Sequence, residues 1–225
     1  MSETYFSVDV ETDGLTPGVN AMLSIGAVAF DGATLEPLNT FSINLVELAG
    51  TRPDQGTVEW WKQFPTAWEM TRRDPQPPLP ALRRFAEWVR ATAKEARPVF
   101  CAWPLNFDAS FIAHYFSVLS EKNPFGIGGL DMRSLWMGLS GMPYVECDDE
   151  KVPEPWQSKH KHTHVALEDA LQQGDVLVAM LKAARMQAKF RLHLRNVLPE
   201  SAAYALPLDP GPILTILDQI EGKTR

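Results

Sequence analysis

Two carboxylates one residue apart constrain the fold of this chain more than any other feature. Asp9 and Glu11 follow an apolar segment, residues 5–8, that is typical of a strand. Because side chains alternate between the two faces of a strand, positions 9 and 11 point the same way and Val10 points into the core. Two like charges in one small site favour either a raised pKa or a divalent cation between them. The end of this strand should therefore lie at the rim of a sheet.

The composition is that of a globular protein with one core, or one domain with a modest appendage. The chain has 225 residues, of which 45% are hydrophobic and 22% charged, and we find no stretch apolar enough to span a bilayer. The first residues show no basic segment, apolar signal core or cleavage site, so we expect a cytoplasmic protein. Cys101 and Cys147 have no neighbours with ligand spacing and are expected to be reduced.

The net charge limits the ways in which this chain could bind nucleic acid. A formal charge of −7 argues against a protein that coats nucleic acid through its overall field. It does not argue against an enzyme, because bound cations neutralise carboxylates at a metal site. If the chain acts on nucleic acid, the acidic charge mildly favours short or single-stranded substrates over the tracking of long duplexes.

The order of predicted elements indicates an α/β fold. Strands are predicted at 4–10, 21–30, 37–45, 99–103 and 128–130. Helices are predicted at 58–64, from Pro65, at 79–96, from an N-cap at Asn106 to about 120, from Met132, and from His164 to about 189. Three hairpin-linked strands followed by alternating helices and strands predict a mixed five-stranded sheet flanked by helices on both faces.

The remaining segments suggest one domain with an extension. Residues 142–163 are rich in proline, charge and histidine and are interpreted as a mobile loop. A linker is predicted at 199–212 and a terminal amphipathic helix at 211–220. We expect one domain at 1–190 and a C-terminal extension, 191–225, that packs on it.

Three later residues extend the carboxylate pair into a candidate reaction centre. Asp108 falls in the first turn of a predicted helix, and His164 precedes Asp169 by five positions, a little over one turn if both are helical. Phosphodiester hydrolysis needs a nucleophilic water, charge stabilisation at phosphorus and help for the leaving oxygen, and two divalent cations about 3.5–4 Å apart can supply all three. Mg²⁺-type cations take oxygen ligands, so the four carboxylates suffice. His164, with a near-neutral pKa, suits proton removal from the attacking water.

Each of these residues also has a simpler interpretation. Asp9 and Glu11 could be a solvated strand end, and Asp108 could stabilise a helix N-terminus through the macrodipole. The alternating His160, His162 and His164 could be read as a zinc site. A polar loop is the preferred interpretation because cysteine partners are lacking, and only His164 is given a role. The tryptophans are interpreted mostly as core or helix-packing residues.

Taken in order, the motifs resemble those of the DEDDh family of 3′-to-5′ exonucleases. The segment Asp9-Val10-Glu11-Thr12, followed by Asp13-Gly14-Leu15, is similar to the first exonuclease motif. The segment Asn106-Phe107-Asp108 resembles the second, and His164 to Ala170 resembles the third. The resemblance extends from about residue 4 to residue 185 and implies a ribonuclease-H-like fold with two Mg²⁺ or Mn²⁺ ions.

The resemblance also implies roles for individual residues. Asp9 would bridge both metals, Glu11 and Asp169 would bind the nucleophile-side ion, and Asp108 would complete the site directly or through water. His164 would be the general base. Residues implied to bind substrate are Leu15 against the 3′-terminal base, Thr12 near the 3′-hydroxyl, and Asn106.

The expected function is therefore release of nucleoside 5′-monophosphates from the 3′ end of single-stranded DNA or RNA. The resemblance also makes a homodimer possible, because many relatives dimerise. The alternative is a non-catalytic nucleic-acid- or protein-binding module that retains the exonuclease fold. The intact set of carboxylates argues against this alternative.

Overall fold

The structure, a computed structural model, describes residues 2–197. Its strands are β1 (Glu3–Thr12), β2 (Met22–Asp31), β3 (Pro37–Asn44), β4 (Arg97–Ala102) and β5 (Gly129–Asp131). Its α-helices are α1 (Gln55–Trp61), α2 (Pro65–Thr71), α3 (Pro78–Ala93), α4 (Leu105–Val118), α5 (Met132–Ser140) and α6 (Ala166–Val197). Short 3₁₀ helices lie at Tyr144–Glu146, Asp149–Lys151 and Glu154–Trp156.

The strands form one mixed sheet in the order β3-β2-β1-β4-β5. Strand β1 runs antiparallel to β2 and parallel to β4, and β5 continues the parallel half. The predicted mixed five-stranded sheet of an α/β fold is confirmed. Since β1 is the central strand, its carboxylates lie where the antiparallel and parallel halves of the sheet meet.

The two faces of β1 have different partners, as a strand with alternating side chains requires. Phe6, Val8 and Val10 belong to a hydrophobic core that also contains side chains of α3 and α4. Ser7 lies on the opposite face, where its Oγ accepts a hydrogen bond of 2.9 Å from Gln173 Nε2 of α6. Asp9 and Glu11 share this second face with Ser7. The first turns of α6 therefore pack against the strand face that carries the two carboxylates.

A glycine allows this close packing of helix on sheet. Gly26 of β2 lies opposite Asp9 in the β1–β2 register. A Cβ atom at this position would be 2.1 Å from the backbone of Ala166, the first residue of α6. Any larger residue would push the start of α6 away from the sheet, because backbone atoms cannot yield as the end of a side chain can.

One predicted detail at the helix starts was wrong. Helix α4 begins at Leu105 with Pro104 as its N-cap, so Asn106 lies inside the first turn and is not the cap. The Leu105 N–H instead donates to Asp131 Oδ1 at 2.9 Å, because the end of β5 supplies a carboxylate there. His164 lies at the junction between the loop and α6, two residues before the helix and near its predicted start, in the left-handed region with φ of 59°.

The described residues form two compact units. One contains residues 2–132 and 158–176, and the other contains residues 133–157 and 177–197. In the second unit, the segment interpreted as a mobile loop contains the three 3₁₀ helices, and Arg133 makes an ion pair of 3.0 Å with Asp148.

The C-terminal predictions lie mostly beyond the described residues. The predicted linker and terminal helix fall outside them, and the domain boundary at 190 stays a prediction. Among residues 2–197, no helix combines the length and the apolar character needed to cross a membrane.

Candidate active site

Three carboxylates from two elements converge in the first unit. Asp9 and Glu11 come from the end of β1, and Asp169 comes from the first turn of α6. An oxygen from each of the three lies within 4.8 Å of the others. Asp169 is 2% exposed and Glu11 is 8% exposed, whereas Asp9 is half-buried. The structure thus brings together three of the four predicted metal ligands at one point.

Asp108, the fourth predicted ligand, lies beside this group and is also buried. Its Oδ1 accepts a hydrogen bond of 2.9 Å from the Val10 N–H. Pairing between β1 and β4 ends at Ser7 and Cys101, so the β1 backbone beyond this point needs another partner on that side. Asp108 supplies it, and this bond fixes the start of α4 against the carboxylate-bearing end of β1.

Asp169 organises the junction that precedes its own helix. Its Oδ1 accepts a hydrogen bond of 2.7 Å from the Thr163 N–H, and its Oδ2 accepts one of 2.8 Å from the His164 N–H. These two bonds hold His164 in the left-handed conformation described above. His164 and Asp169 are therefore not two residues on one helical face. They are five positions apart because the Asp169 carboxylate binds the backbone of the loop just before its own helix.

His164 lies in an aromatic enclosure beside the carboxylates. Its ring centroid is 4.1 Å from that of Phe64 and 4.7 Å from that of Trp60. Its Nδ1 is 3.1 Å from Nε2 of His162. Burial lowers the pKa of His164, His162 lowers it further, and the nearby Asp169 opposes both. His164 is consequently neutral at neutral pH, with one nitrogen lone pair able to accept a proton.

The crowded carboxylates have strongly perturbed acidities. Burial raises the pKa of Asp9 well above its ordinary value, and Glu11, Asp108 and Asp169 raise it further. The pKa of Glu11 rises to about 8, mainly through burial and then through Asp169 and Asp108. Burial likewise raises the pKa of Asp108 to about 7, although the hydrogen bond from the Val10 N–H partly opposes this shift. Without a cation, this cluster holds protons at neutral pH.

A divalent cation fits this cluster. The grouped donor atoms are carboxylate oxygens, which are the ligands that hard cations prefer. A cation between them would replace the protons that the cluster otherwise needs to reduce repulsion. The acidic residues can therefore hold a divalent metal.

The raised pKa of Glu11 predicts that the metal-free protein is less stable at high pH. An unfolded glutamate titrates near 4.5 but Glu11 near 8, so the folded state binds more protons between these values and loses stability as pH rises. We expect the melting temperature to fall by at least about 5 °C between pH 5 and pH 8.5 in a chelator, and Mn²⁺ to restore it. Differential scanning calorimetry measures both effects. Glu11→Gln should show a shallower pH slope, and an equal slope in the two proteins would contradict the prediction.

A cavity of about 430 Å³ opens next to the carboxylates. Its wall is formed by Val10, Glu11, Thr12, Leu15, Asp54, Gly56, Thr57, Trp60, Trp61 and Phe107. Thr12 and Leu15, two of the predicted substrate-binding residues, are on this wall, and Leu15 is 74% exposed. Asn106, the third, is exposed in the first turn of α4 and is not on the described wall, where its neighbour Phe107 is found instead.

Several residues of the site were not predicted from the sequence. Trp60 and Trp61 line the cavity, and Trp61 Nε1 donates a hydrogen bond of 2.9 Å to the Thr12 carbonyl. His162 contacts both His164 and Asp169. The sequence did show two adjacent tryptophans on a predicted helix. Because they were interpreted as core residues, they were not predicted to belong to the site.

Two comparisons identify relatives of this chain by sequence. The model of the Rv2179c-like 3′-5′ exoribonuclease domain matches residues 4–181. The chain is also similar to the 3′-5′ DNA exonuclease Cap18 of Escherichia coli, with 34% identity over 184 residues. This match covers 77% of the present chain and 89% of Cap18.

Solved structures share the fold. The nuclease domain of 3′hExo, a DEDDh family member bound to rAMP, has a TM-score of 0.62 at 14% identity, covering 80% of this chain and 92% of that domain. Exonuclease I of Escherichia coli in complex with a dT13 oligonucleotide has a TM-score of 0.55 at 17% identity, covering 84% of this chain and 42% of that enzyme. At these identities the likeness establishes the ribonuclease-H-like fold.

The family model, the relative by sequence and the fold together identify the class of 3′-5′ exonucleases of the DEDDh type, so the resemblance inferred from the three motifs is confirmed. Within this class, the chain belongs to the Rv2179c-like 3′-5′ exoribonuclease domain family. The roles of the individual site residues remain predictions.

Proposed function

We propose that this chain is a metal-dependent 3′-5′ exonuclease that releases nucleoside 5′-monophosphates from the 3′ end of single-stranded DNA or RNA. The observation that carries the proposal is the convergence of Asp9, Glu11 and Asp169 within 4.8 Å at the sheet rim. Family membership supports the direction of the reaction, and the raised pKa values of the carboxylates support its dependence on a metal.

The proposed metal ligands are Asp9, Glu11, Asp108 and Asp169, and the proposed ions are two of Mg²⁺ or Mn²⁺. Asp108 uses Oδ1 for the Val10 N–H, which leaves Oδ2 for an ion or its water. When bound, the ions would supply Lewis acidity that polarises the phosphoryl group and lowers the pKa of water. The burial of Asp108 and Asp169 keeps bulk water from competing for these oxygens.

His164 is the proposed general base. It accepts a proton from the attacking water, whose oxygen then bonds to phosphorus. The bond from phosphorus to the 3′-oxygen of the penultimate nucleotide breaks, and this oxygen takes a proton from solvent to become the new 3′-hydroxyl. The other product is a nucleoside 5′-monophosphate. The lowered pKa of His164 keeps its ring neutral before the reaction, and the aromatic enclosure of Trp60 and Phe64 limits its rotation.

The cavity beside Glu11 is the proposed site for the 3′-terminal nucleotide. Leu15 and Phe107 supply apolar surface for the terminal base, and the Thr12 backbone lies next to the carboxylates, where the 3′-hydroxyl would be. Asn106, exposed one residue before Phe107, is proposed to contact the preceding part of the strand. A cavity of about 430 Å³ suits one unpaired end and favours a single-stranded substrate.

The relatives differ in the sugar that their descriptions name. The family model describes an exoribonuclease, whereas Cap18 is named a DNA exonuclease. We therefore keep both polymers in the proposal. Discrimination between them depends on contacts to the 2′-hydroxyl.

Matched DNA and RNA oligomers of the same sequence test the proposal. With a 5′ label and Mg²⁺ or Mn²⁺, we expect stepwise shortening from the 3′ end, release of nucleoside 5′-monophosphates, and no reaction in chelator. An oligomer with a blocked 3′ end serves as the control and should resist digestion. Internal cleavage, products that carry a 3′-phosphate, or undiminished activity in chelator would contradict the proposal.

A further inference from the structure

A second group of potential ligands lies next to the carboxylate cluster and contains nitrogen. One atom each from His162, His164 and Asp169 lies within 4.8 Å of the others. His162 is half-exposed, with 50% of its side chain accessible, and it has no role in the reaction proposed above. The sequence pattern grouped His160 with these histidines, but the structure replaces it with Asp169.

The potential ligand atoms in this group are close enough for a small tetrahedral ion once the His162 ring adjusts. Nε2 of His162 is 3.1 Å from Nδ1 of His164, and Nδ1 of His162 is 3.4 Å from Oδ2 of Asp169. With metal–ligand bonds of about 2.0–2.1 Å, ligand atoms of a tetrahedral site are about 3.4 Å apart. These two distances involve different nitrogens of His162, and an ion takes only one of them. Rotation of the half-exposed His162 ring would bring that nitrogen towards both His164 and Asp169.

Two of the three ligands are already held in place. The Thr163 and His164 N–H groups fix both oxygens of Asp169, and Trp60 and Phe64 contact the His164 ring in T-shaped arrangements. Only the His162 side chain would have to lose rotational freedom on binding. Preorganised ligands of this kind reduce the entropic cost of forming a metal site.

The chemistry of this group differs from that of the acidic cluster. Two imidazoles and one carboxylate favour Zn²⁺ over Mg²⁺, because Mg²⁺ prefers oxygen ligands and octahedral geometry. Three protein ligands and one open position for water are also typical of zinc sites that exchange a ligand.

We propose that His162, His164 and Asp169 form a zinc site whose occupation stops hydrolysis. When Nδ1 of His164 binds zinc, the proton of the neutral ring must reside on Nε2, so His164 has no lone pair left to accept a proton from water. The proton in the hydrogen bond between the two histidines must leave that position on binding, either for the other nitrogen of the His162 ring or for solvent. Zinc also binds a carboxylate oxygen of Asp169, which is one of the proposed ligands of the catalytic ions. The zinc site is inferred from the positions of its three residues alone, whereas its inhibitory effect rests on the proposed function.

Binding is tested on the full chain in saturating Mg²⁺, which fills the oxygen-only cluster. Calorimetric titration with Zn²⁺, together with the absorption of Co²⁺ as an optical probe, should report a tetrahedral site. His162→Gln should weaken zinc binding at least about tenfold, since loss of an outer-shell partner already costs that much. His160→Gln, an exposed histidine of the same loop, is the matched control and should bind zinc like the parent chain. Equal zinc affinity in the two variants would overturn the site.

Inhibition is tested with the same proteins and an oligonucleotide substrate. Zinc should slow nucleotide release over the concentrations at which it binds, and His162→Gln should require at least about ten times more zinc for the same effect. Zinc that binds without slowing release would overturn the inhibitory step. If Mg²⁺ alone supports no release by the parent chain, the proposed function fails instead, and the binding result stands by itself.

Discussion

Asp9→Asn is expected to lower nucleotide release by at least about 10³-fold, since the loss of a charge from the proposed metal site would remove several kcal/mol of transition-state stabilisation. Asparagine has nearly the same shape as aspartate but carries no charge, so the change isolates the electrostatic contribution. Steady-state release of nucleotides in Mg²⁺ measures the effect. Activity equal to that of the parent chain would remove Asp9 from the reaction.

The stability of Asp9→Asn separates a catalytic effect from a folding defect. Burial, and then Glu11, Asp108 and Asp169, raise the pKa of Asp9, which means that its charge is unfavourable in the folded state. Removing this charge should therefore raise the melting temperature in chelator at pH 8 and reduce the stabilisation that Mn²⁺ confers. Glu3→Gln, at the exposed opposite end of β1, is the control and should change neither activity nor the response to Mn²⁺.

His164→Asn is expected to lower kcat by about 10²–10⁴-fold, the range typical of a lost general base. Asparagine is chosen because it tolerates the left-handed region better than most residues, and His164 has a φ of 59°. The oxygen of Asp169 accepts its hydrogen bond from the backbone N–H of residue 164, so this contact survives the substitution. KM and the stabilisation by Mn²⁺ should accordingly stay close to those of the parent chain.

The pH profile of this variant provides a second measurement. The parent chain should lose activity at low pH as His164 takes up a proton, and the variant should lack this dependence. His160→Asn is the matched control, because residue 160 is exposed in the same loop. If His164→Asn lost Mn²⁺ binding along with turnover, the histidine would be a structural residue rather than the base.

Patterns within single elements predicted much of the fold. The apolar strands and periodic helices were found close to their observed positions because burial imposes periods of two and 3.6 residues on the sequence itself. The starts of α4 and α6 were less accurate, because a distant carboxylate decides each junction. Asp131 receives the Leu105 N–H, and Asp169 receives two N–H groups before its own helix.

The aromatic side of the site could not be predicted from local patterns. Trp60 and Phe64 contact His164, more than ninety positions away along the chain, and their spacing alone would equally suit a buried helix face. Phe107 rather than Asn106 lines the cavity because the start of α4 at Leu105 sets which side chain of its first turn faces the carboxylates.

By itself, the sequence determined that Asp9 and Glu11 share one strand face and that Asp108, His164 and Asp169 complete an exonuclease motif set. Strand alternation and motif order are local properties, so they can be read without coordinates. Only the tertiary structure decided that Asp169 reaches the β1 pair and that His162 joins His164. The first contact depends on the close approach of α6 to the sheet at Gly26, and the second on the hydrogen bonds from the loop to Asp169. Packing between elements of this kind leaves no periodic signal in the sequence.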